Sequence, residues 1–211
     1  TVDTVAIVKG STSPPPRDGR QMGIPFVPFS PQDVWTVSRE GRLAVVRSSD
    51  YHVEWRAPNG MVQRGPAVAL ERIRVLLRDK VAYTRQFLAN SNVSGRGPDG
   101  SMGATPAEFL TEARVRTIVE NNAYAETMGP FTTATPHIAP SGDLWVERAT
   151  HLGLPSTWDR FDTTGRLTRQ VELPAGRRLL LVSQKWIYLA AVDGDGVETL
   201  ERYDWFDIRL A

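Results

Sequence analysis

Two short stretches decide the fold that this sequence predicts: Glu40-Gly-Arg-Leu-Ala-Val45 and Ser141-Gly-Asp-Leu-Trp-Val146. In each, a turn containing glycine leads into a short apolar segment, which is the pattern of a β-hairpin entering its second strand. The two stretches lie about a hundred residues apart. Their similarity therefore indicates that one β unit occurs at least twice in the chain.

The residues after each stretch support the same interpretation. After a loop there is an aromatic residue and then a second glycine turn, first as Trp55 with Gly60 and later as Phe161 with Gly165. A weaker third copy places Trp186–Leu189 at the strand, without the turn glycine. The order of the signals is kept across a long interruption, and this favours a repeated antiparallel unit.

This arrangement of turn, strand, loop and aromatic strand resembles the blades of six-bladed β-propellers of the NHL-repeat and gluconolactonase-like kind. The resemblance covers roughly residues 1–66 and 131–205. It implies four-stranded antiparallel blades packed face to face around an axis. A lipocalin-type barrel and a plain β-sandwich are the alternatives, because glycine turns and aromatic strands occur in many all-β folds.

The strand pattern predicts short antiparallel strands on both sides of a helical stretch. Residues 179–182 are apolar throughout, which predicts a strand buried on both faces. The predicted strands are residues 2–8, 33–37, 43–46, 51–55, 61–63, 143–147, 158–161, 167–173, 179–182, 186–192 and 197–205.

Two helices are predicted between these strands. Apolar residues recur at helical spacing over residues 67–90, with Leu70, Ile73, Leu77, Val81 and Leu88 on one face. The sequence Thr105-Pro-Ala-Glu108 has the pattern of a helix start, and this helix should run to about Asn121. It should bury four apolar residues, which are Phe109, Leu110, Ala113 and Val119.

The predicted fold is therefore mainly β, with partial propeller-like blades of antiparallel strands and a two-helix insertion. Residues 1–66 supply the outer strand of one blade and one further blade, residues 67–131 the helical insertion with a Gly-rich loop, and residues 132–211 about two blades. At roughly 40–45 residues per blade this is about three blades, too few to close a ring. We therefore expect the C-terminal half of a longer protein, a protomer that pairs, or a half-ring covered by a partner.

Composition excludes several functions. The 211 residues carry 25 basic and 24 acidic side chains and no cysteine. The even charge balance argues against a nucleic-acid-binding protein, whose domains are usually strongly basic. The lack of cysteine excludes disulfides, thiolate metal ligands and a thiol nucleophile.

Motifs that suggest a cofactor or a metal do not fit their usual context. Residues 95–100 match GxGxxG, but a helix rather than a strand precedes them. The start of a calcium loop at Asp193-Gly-Asp-Gly196 has valine where the third acidic ligand should be. The histidines His52, His137 and His151 show no metal-ligand spacing. We expect no cofactor and no metal site.

The propeller resemblance implies one exception, since gluconolactonase-like propellers hold a divalent metal on the axis through acidic and amide side chains. None of the acidic residues of this chain matches that family's ligand motifs, so no ligand is assigned. The possible contributors are Asp33, Glu54, Asp143, Glu147 and Asp193.

The most suggestive functional feature is a basic segment on the first predicted helix. Between Arg64 and Arg85 six basic residues stand against two acidic ones, in a chain whose net charge is only +1. Such a helix can dock on an acidic partner or an anionic membrane surface, or simply solvate its outer face. The predicted partner-binding residues are Arg72, Arg74, Arg78, Lys80 and Arg85.

These observations predict a non-catalytic interaction or scaffold subunit that binds other protein chains and no nucleic acid. An accessory subunit on the outside of a larger membrane-associated assembly fits, in an extracytoplasmic or periplasmic location. One alternative is a lactonase-like, metal-dependent hydrolase whose missing half completes the site. Another is a ligand-sensing half-propeller that closes by homodimerisation.

Overall fold

The first of the two similar stretches, Glu40–Val45, lies in a four-stranded sheet that we call sheet I. The structure, a computed structural model, describes residues 4–11, 26–90, 94–96, 102–104, 111–193 and 197–204. Sheet I consists of four strands in chain order, each antiparallel to the next. They are β1 (Val34–Val37), β2 (Leu43–Arg47), β3 (His52–Arg56) and β4 (Val62–Arg64).

Among the strands that the structure describes, β5 (Ser94–Arg96) and β6 (Met102–Ala104) pair only with each other, in a two-stranded antiparallel sheet. Sheet II contains the second stretch and repeats the strand order of sheet I. Its strands are β7 (His137–Ile138), β8 (Leu144–Glu147), β9 (Thr157–Phe161) and β10 (Leu167–Glu172). Sheet III has three strands in order, β11 (Arg177–Val182), β12 (Trp186–Val192) and β13 (Glu198–Asp204).

The first turns of sheets I and II have the same hydrogen bonds. Gly41 and Gly142 adopt φ of 79° and 86°, a region that only glycine enters without strain. The N–H of Gly41 donates to the carbonyl of Ser38, and the N–H of Gly142 donates to that of Ala139. The two stretches quoted at the outset therefore form equivalent hairpins.

The three sheets stack face to face, with sheet II in the middle. Because successive side chains of a strand point to opposite faces, sheet II contributes to two cores. Leu144, Val146 and Phe161 pack with Val53 and Trp55 of sheet I. On the other face, a second set packs against Leu179, Val182, Ile187 and Leu189 of sheet III; its members are Trp145, Trp158, Val171 and Leu173.

The chain divides into two compact units. The first comprises Thr1–Gly10, Pro31–Ile73 and Met128–Ala211 and includes the three stacked sheets. The second comprises Ser11–Ser30 and Arg74–Thr127. It contains the strands β5 and β6 and two helices, α1 (Leu77–Asn90) and α2 (Glu112–Asn121).

The prediction of a mainly β chain with two helices is confirmed, but the first helix is shorter than predicted. Residues 67–76 are not helical, and Arg74 instead forms an antiparallel bridge with Thr127. The helix begins at Leu77, where the Asp79 carboxylate accepts a hydrogen bond of 2.9 Å from the N–H of Leu76. Leu77 itself is exposed, so the predicted apolar face is wrong at this residue.

The second helix differs in its start as well. It is capped by Thr111, whose hydroxyl accepts from the N–H of Arg114. The predicted start at 105–108, with Phe109 and Leu110, lies outside the described residues. Val119 is buried as predicted, whereas Ala113 is exposed and Val115 is buried in its place.

Two strand predictions are also wrong. Residues 4–8 of the predicted strand 2–8 are not in a strand, because their carbonyls bond to arginine side chains rather than to a neighbouring strand. In β11, Leu181 is exposed, although residues 179–182 were predicted to be buried on both faces. β11 lies at the edge of sheet III and has an irregular register between Leu179 and Leu181.

Candidate functional site

The predicted partner-binding residues do not lie on one helix. Arg78, Lys80 and Arg85 belong to α1, whereas Arg72 and Arg74 precede it in extended chain. The four arginines are exposed and form no salt bridge with any residue that the structure describes. Lys80 is half-buried, with its Nζ 5.4 Å from the centre of the Tyr124 ring. The single basic helix surface predicted over residues 67–90 is therefore wrong in its extent.

The acidic residues considered as metal ligands are dispersed. Asp143 pairs with Arg160 at 2.6 Å, and Glu147 accepts hydrogen bonds from Thr132 and Ser156. Asp33 and Glu54 lie together in one cleft of sheet I. Across the described part of the chain, no three His, Asp or Glu side chains are grouped so that they could hold a metal ion.

The outer face of sheet I, which points away from sheet II, is crossed by an N-terminal segment that we call the strap (residues 4–9). Arg47 donates to the carbonyl of Ile7 at 2.7 Å, and Arg56 donates to that of Val5 at 3.0 Å. At the end of the strap, the N–H of Lys9 donates to Asp33 and the Lys9 carbonyl accepts from the N–H of Asp33. The strap is thus fixed through its backbone, which leaves the side chains of Val5 and Ile7 exposed.

An ion-pair network holds these arginines in place. Arg47 pairs with Asp33 at 2.9 Å and with Glu54 at 2.8 Å, and Arg56 pairs with Glu54 at 3.2 Å. The hydrogen bond from Arg47, supported by Arg56 and opposed by burial, lowers the pKa of Glu54 to about 2. Burial would raise the pKa of Asp33, but hydrogen bonds from Lys9, Ser48 and Arg47 lower it. Both carboxylates are therefore charged at neutral pH.

A polar cleft of about 360 Å³ opens beside this network. It is lined by two serines and seven ionisable side chains, which are Ser48, Ser49, Lys9, Asp33, Arg47, Asp50, His52, Glu54 and Arg64. His52 is buried, with Nδ1 2.6 Å from Asp50 and Nε2 3.5 Å from Glu54. Asp50 also pairs with Arg64 at 2.6 Å. The carboxylates of the cleft are thus already paired within the chain.

The loop beside the cleft is held in a strained conformation. Tyr51 adopts a φ of 46°, which is costly for a residue with a side chain. Its ring packs against Phe131 and Phe161 in the core, and its hydroxyl lies 2.5 Å from the buried Asp159. Burial raises the pKa of Tyr51 well above its ordinary value. The core contacts compensate the strain and fix the loop that connects β2 to β3.

The strap lies between two open apolar flanks of the same outer face. By strand register, Trp35 and Val37 of β1 share this face with Val62 of β4. All three are exposed, as is Met61 beside β4. We call this surface, formed by the strap with Trp35, Val37, Met61 and Val62, the strap face.

The opposite end of the stack carries a second apolar surface. On the outer face of sheet III, Leu181 is the register partner of Tyr188, and Leu200 is the partner of the buried Ala190. Leu181 and Leu200 are exposed, and Arg202 lies 4.3 Å from the centre of the neighbouring Trp186 ring. We call this surface, formed by Leu181, Trp186, Tyr188, Val192 and Leu200, the sheet III face.

Sequence reasoning missed both surfaces. The sequence shows that the side chains of β1, Val-Trp-Thr-Val, alternate between the two faces of a strand. It could not show that Val34 enters the core while Trp35 stays exposed. A strand with apolar residues on both faces needs a packing partner on each side. Only the order of the sheets shows which face of a strand has no sheet packed against it.

The structure also describes no helix that combines the length and the apolar character needed to cross a bilayer. The chain matches no protein-family model. Nor does it match any curated protein sequence.

Proposed function

We propose that this chain is a non-catalytic protein-interaction subunit, built from propeller-like blades, that docks on other protein chains through the two ends of its sheet stack. One observation carries the proposal: sheet II is covered on both faces, whereas sheets I and III each keep an outer face with exposed apolar side chains. Exposed apolar patches rimmed by polar residues are typical of interaction sites.

The arrangement of sheets supports propeller-like blades rather than a barrel or a plain sandwich. Sheets I and II each have four antiparallel strands in chain order, and the three sheets are stacked face to face in sequence. A sandwich has two sheets, and a barrel has one closed sheet. Blades that stack in sequence also leave one open face at each end when the ring is not closed.

The basic residues support an acidic neighbour for the assembly. Arg72, Arg74, Arg78 and Arg85 are exposed and form no ion pairs within the described chain, so their charge is available to an acidic chain or an anionic membrane surface. An accessory subunit on a membrane-associated, extracytoplasmic assembly would use both the apolar faces and the exposed arginines. Apolar faces supply contact area, and the arginines attract the subunit to its place.

Site-specific photo-crosslinking in cells that naturally make the protein tests this function. A benzophenone amino acid replaces Trp35 on the strap face, Leu200 on the sheet III face or, as a control, the exposed Leu154 of the loop between β8 and β9. We expect protein adducts of defined mass from the first two positions, at several times the yield of the Leu154 variant. Equal yields from all three positions would contradict the proposal.

A further inference from the structure

The two ends of the sheet stack are different surfaces, and each exposes apolar side chains, those of sheet I lying beside the strap that crosses its buried Leu43 and Val45. The strap face presents Trp35, which is 54% exposed, and the sheet III face presents Leu200, which is 66% exposed. On the basis of the proposed function, we propose that the partner is a second copy of this chain. The strap face of each copy packs on the sheet III face of the other, so that two copies close a ring of six sheets.

The covered faces indicate what these surfaces fit. Sheet II meets sheet III with two tryptophans, Trp145 and Trp158, against Leu179 and Leu189. The open ends offer the same pairing of side-chain types, with Trp35 at one end and Leu181 and Leu200 at the other. A strap-to-sheet III contact therefore joins the same side-chain types, with the strap lying between the two sheets.

The area available also favours two simultaneous contacts. At about 3.3 Å per residue and about 4.8 Å between strands, the 17 strand residues of sheet I give a face of roughly 270 Å² and the 20 of sheet III a face of roughly 320 Å². One contact therefore buries roughly 590 Å² on both partners together, which is below the roughly 1,200–2,000 Å² of specific interfaces. Two contacts bury roughly 1,200 Å² and reach the lower end of that range. The area thus favours a closed pair over a single contact.

In a two-fold pair each copy supplies one strap face and one sheet III face, so the two contacts are equivalent. Three sheets from each copy give six, which lies within the four to eight blades of closed propellers. A two-fold pair is also the commonest oligomer of soluble proteins. In such a pair neither end of the stack remains exposed, whereas a partner bound at one end alone would leave the other end open.

The mass of the purified full-length chain in solution, measured by light scattering and native mass spectrometry, tests this inference first. We expect a species of twice 23.4 kDa at micromolar concentration. Trp35→Glu and Leu200→Lys should each shift the protein to monomer, whereas Leu154→Glu should leave the dimer intact. Because the substituted residues are exposed in the single chain, circular dichroism spectra that match the wild-type spectrum will show that the variants remain folded. Their urea midpoints should fall to that of the wild-type chain diluted to monomer, because association stabilises the folded chain.

Mixing the two variants distinguishes the proposed geometry from other dimers. A pair containing one Trp35→Glu chain and one Leu200→Lys chain has one unaltered contact and one in which the introduced charges are opposite. We therefore expect the equimolar mixture to recover a dimer that contains one chain of each kind. A dimer that Trp35→Glu disrupts but Leu200→Lys does not would overturn the strap-to-sheet III contact.

The test of the dimer and the test of the proposed function can fail independently. A monomeric wild-type protein at about 100 μM overturns the second-copy inference. If Trp35 and Leu200 still crosslink to a different chain in that case, the interaction function stands with another partner. If neither position crosslinks above the Leu154 control, both proposals fail.

Discussion

Sheets I and II are built alike but differ in their surroundings. Both have four antiparallel strands in chain order, and both enter the second strand through a glycine turn with the same hydrogen bonds. Trp145 of sheet II is fully buried, whereas Trp35 of sheet I is 54% exposed. The two tryptophans lie on different strands and faces: Trp145 packs toward sheet III, whereas Trp35 lies on the outer face of sheet I. On that outer face the central residues Leu43 and Val45 are buried, so the exposed apolar side chains of sheet I are confined to its first and last strands.

The two sheets also place their carboxylates differently. Asp159 of sheet II is buried toward sheet I, where burial raises its pKa although Tyr51 and Arg148 bond to it. Glu54 lies on the outer face of sheet I, where Arg47 lowers its pKa to about 2. One carboxylate joins two sheets in the core. The other anchors the arginines that bind the strap.

The largest expected change in the free energy of unfolding comes from substituting Trp145, compared with Trp35. Trp145→Ala removes a buried side chain between sheets II and III and should lower the free energy of unfolding by about 3–5 kcal/mol. Trp35→Ala should change it by less than about 0.5 kcal/mol in the isolated chain, because the side chain is largely exposed. Urea denaturation of both variants, at a concentration where the wild-type chain is monomeric, measures the difference. Equal losses there would contradict the exposure of Trp35 in the single chain.

A pair of glycines tests the contact between sheets I and II. A Cβ on Gly65 would lie 2.2 Å from the carbonyl oxygen of Gly165, so Gly65→Ala forces the two backbones apart. We expect a loss of about 2–3 kcal/mol. Gly60 has a φ of 85° and no atom near its Cβ position, so Gly60→Ala should cost only about 1 kcal/mol of backbone strain. Thermal unfolding of the two variants compares them, and a smaller loss for Gly65→Ala would argue against this close approach.

A smaller loss of stability is expected from disrupting the ion pairs of Glu54 with Arg47 and Arg56, which hold the strap. The folded pKa of Glu54, about 2, is below its ordinary 4.5, so its stabilisation is present above pH 4.5 and is lost as the pH falls toward 2. Glu54→Gln should cost about 1–2 kcal/mol at pH 7, a value that allows for partial solvent screening. The difference from the wild-type chain should shrink between pH 4.5 and pH 2. Urea titrations across this pH range provide the measurement.

Glu198 supplies the matched control for this experiment. It pairs with Arg178 at 2.8 Å, but more than half of each side chain is exposed. Glu198→Gln should therefore change stability by only a few tenths of a kcal/mol at any pH. A pH-independent loss for Glu54→Gln would show that the network does not depend on the charge of Glu54.

Much of the strand arrangement could be predicted because its signals are local. Four hairpin turns predicted from a glycine are present, and each glycine adopts a positive φ; these are Gly41, Gly60, Gly142 and Gly165. The helix limits were less predictable. Residues 67–76 have helical spacing, but extended pairing between Arg74 and Thr127 prevents a helix there.

The candidate surfaces could be predicted only in part. The basic residues between Arg64 and Arg85 are visible in the sequence, but their role in binding a partner stays a prediction. It could not place Asp33, Arg47 and Glu54 in one network, because these residues come from different strands or loops and meet only when the sheet forms. Nor could it show that residues 4–9 cross a sheet instead of joining one.

The sequence by itself therefore determined the mainly β class, the hairpin turns and the excess of arginine around residues 64–85, since each depends on local spacing or composition. Only the tertiary structure decided which face of each strand is covered, because alternation marks two faces without saying what lies against them. Sheet II has a neighbour on each side, whereas sheets I and III each keep exposed apolar side chains on their outer faces. Long-range packing thus leaves Trp35 and Leu200 exposed while it buries Trp145 and Leu189.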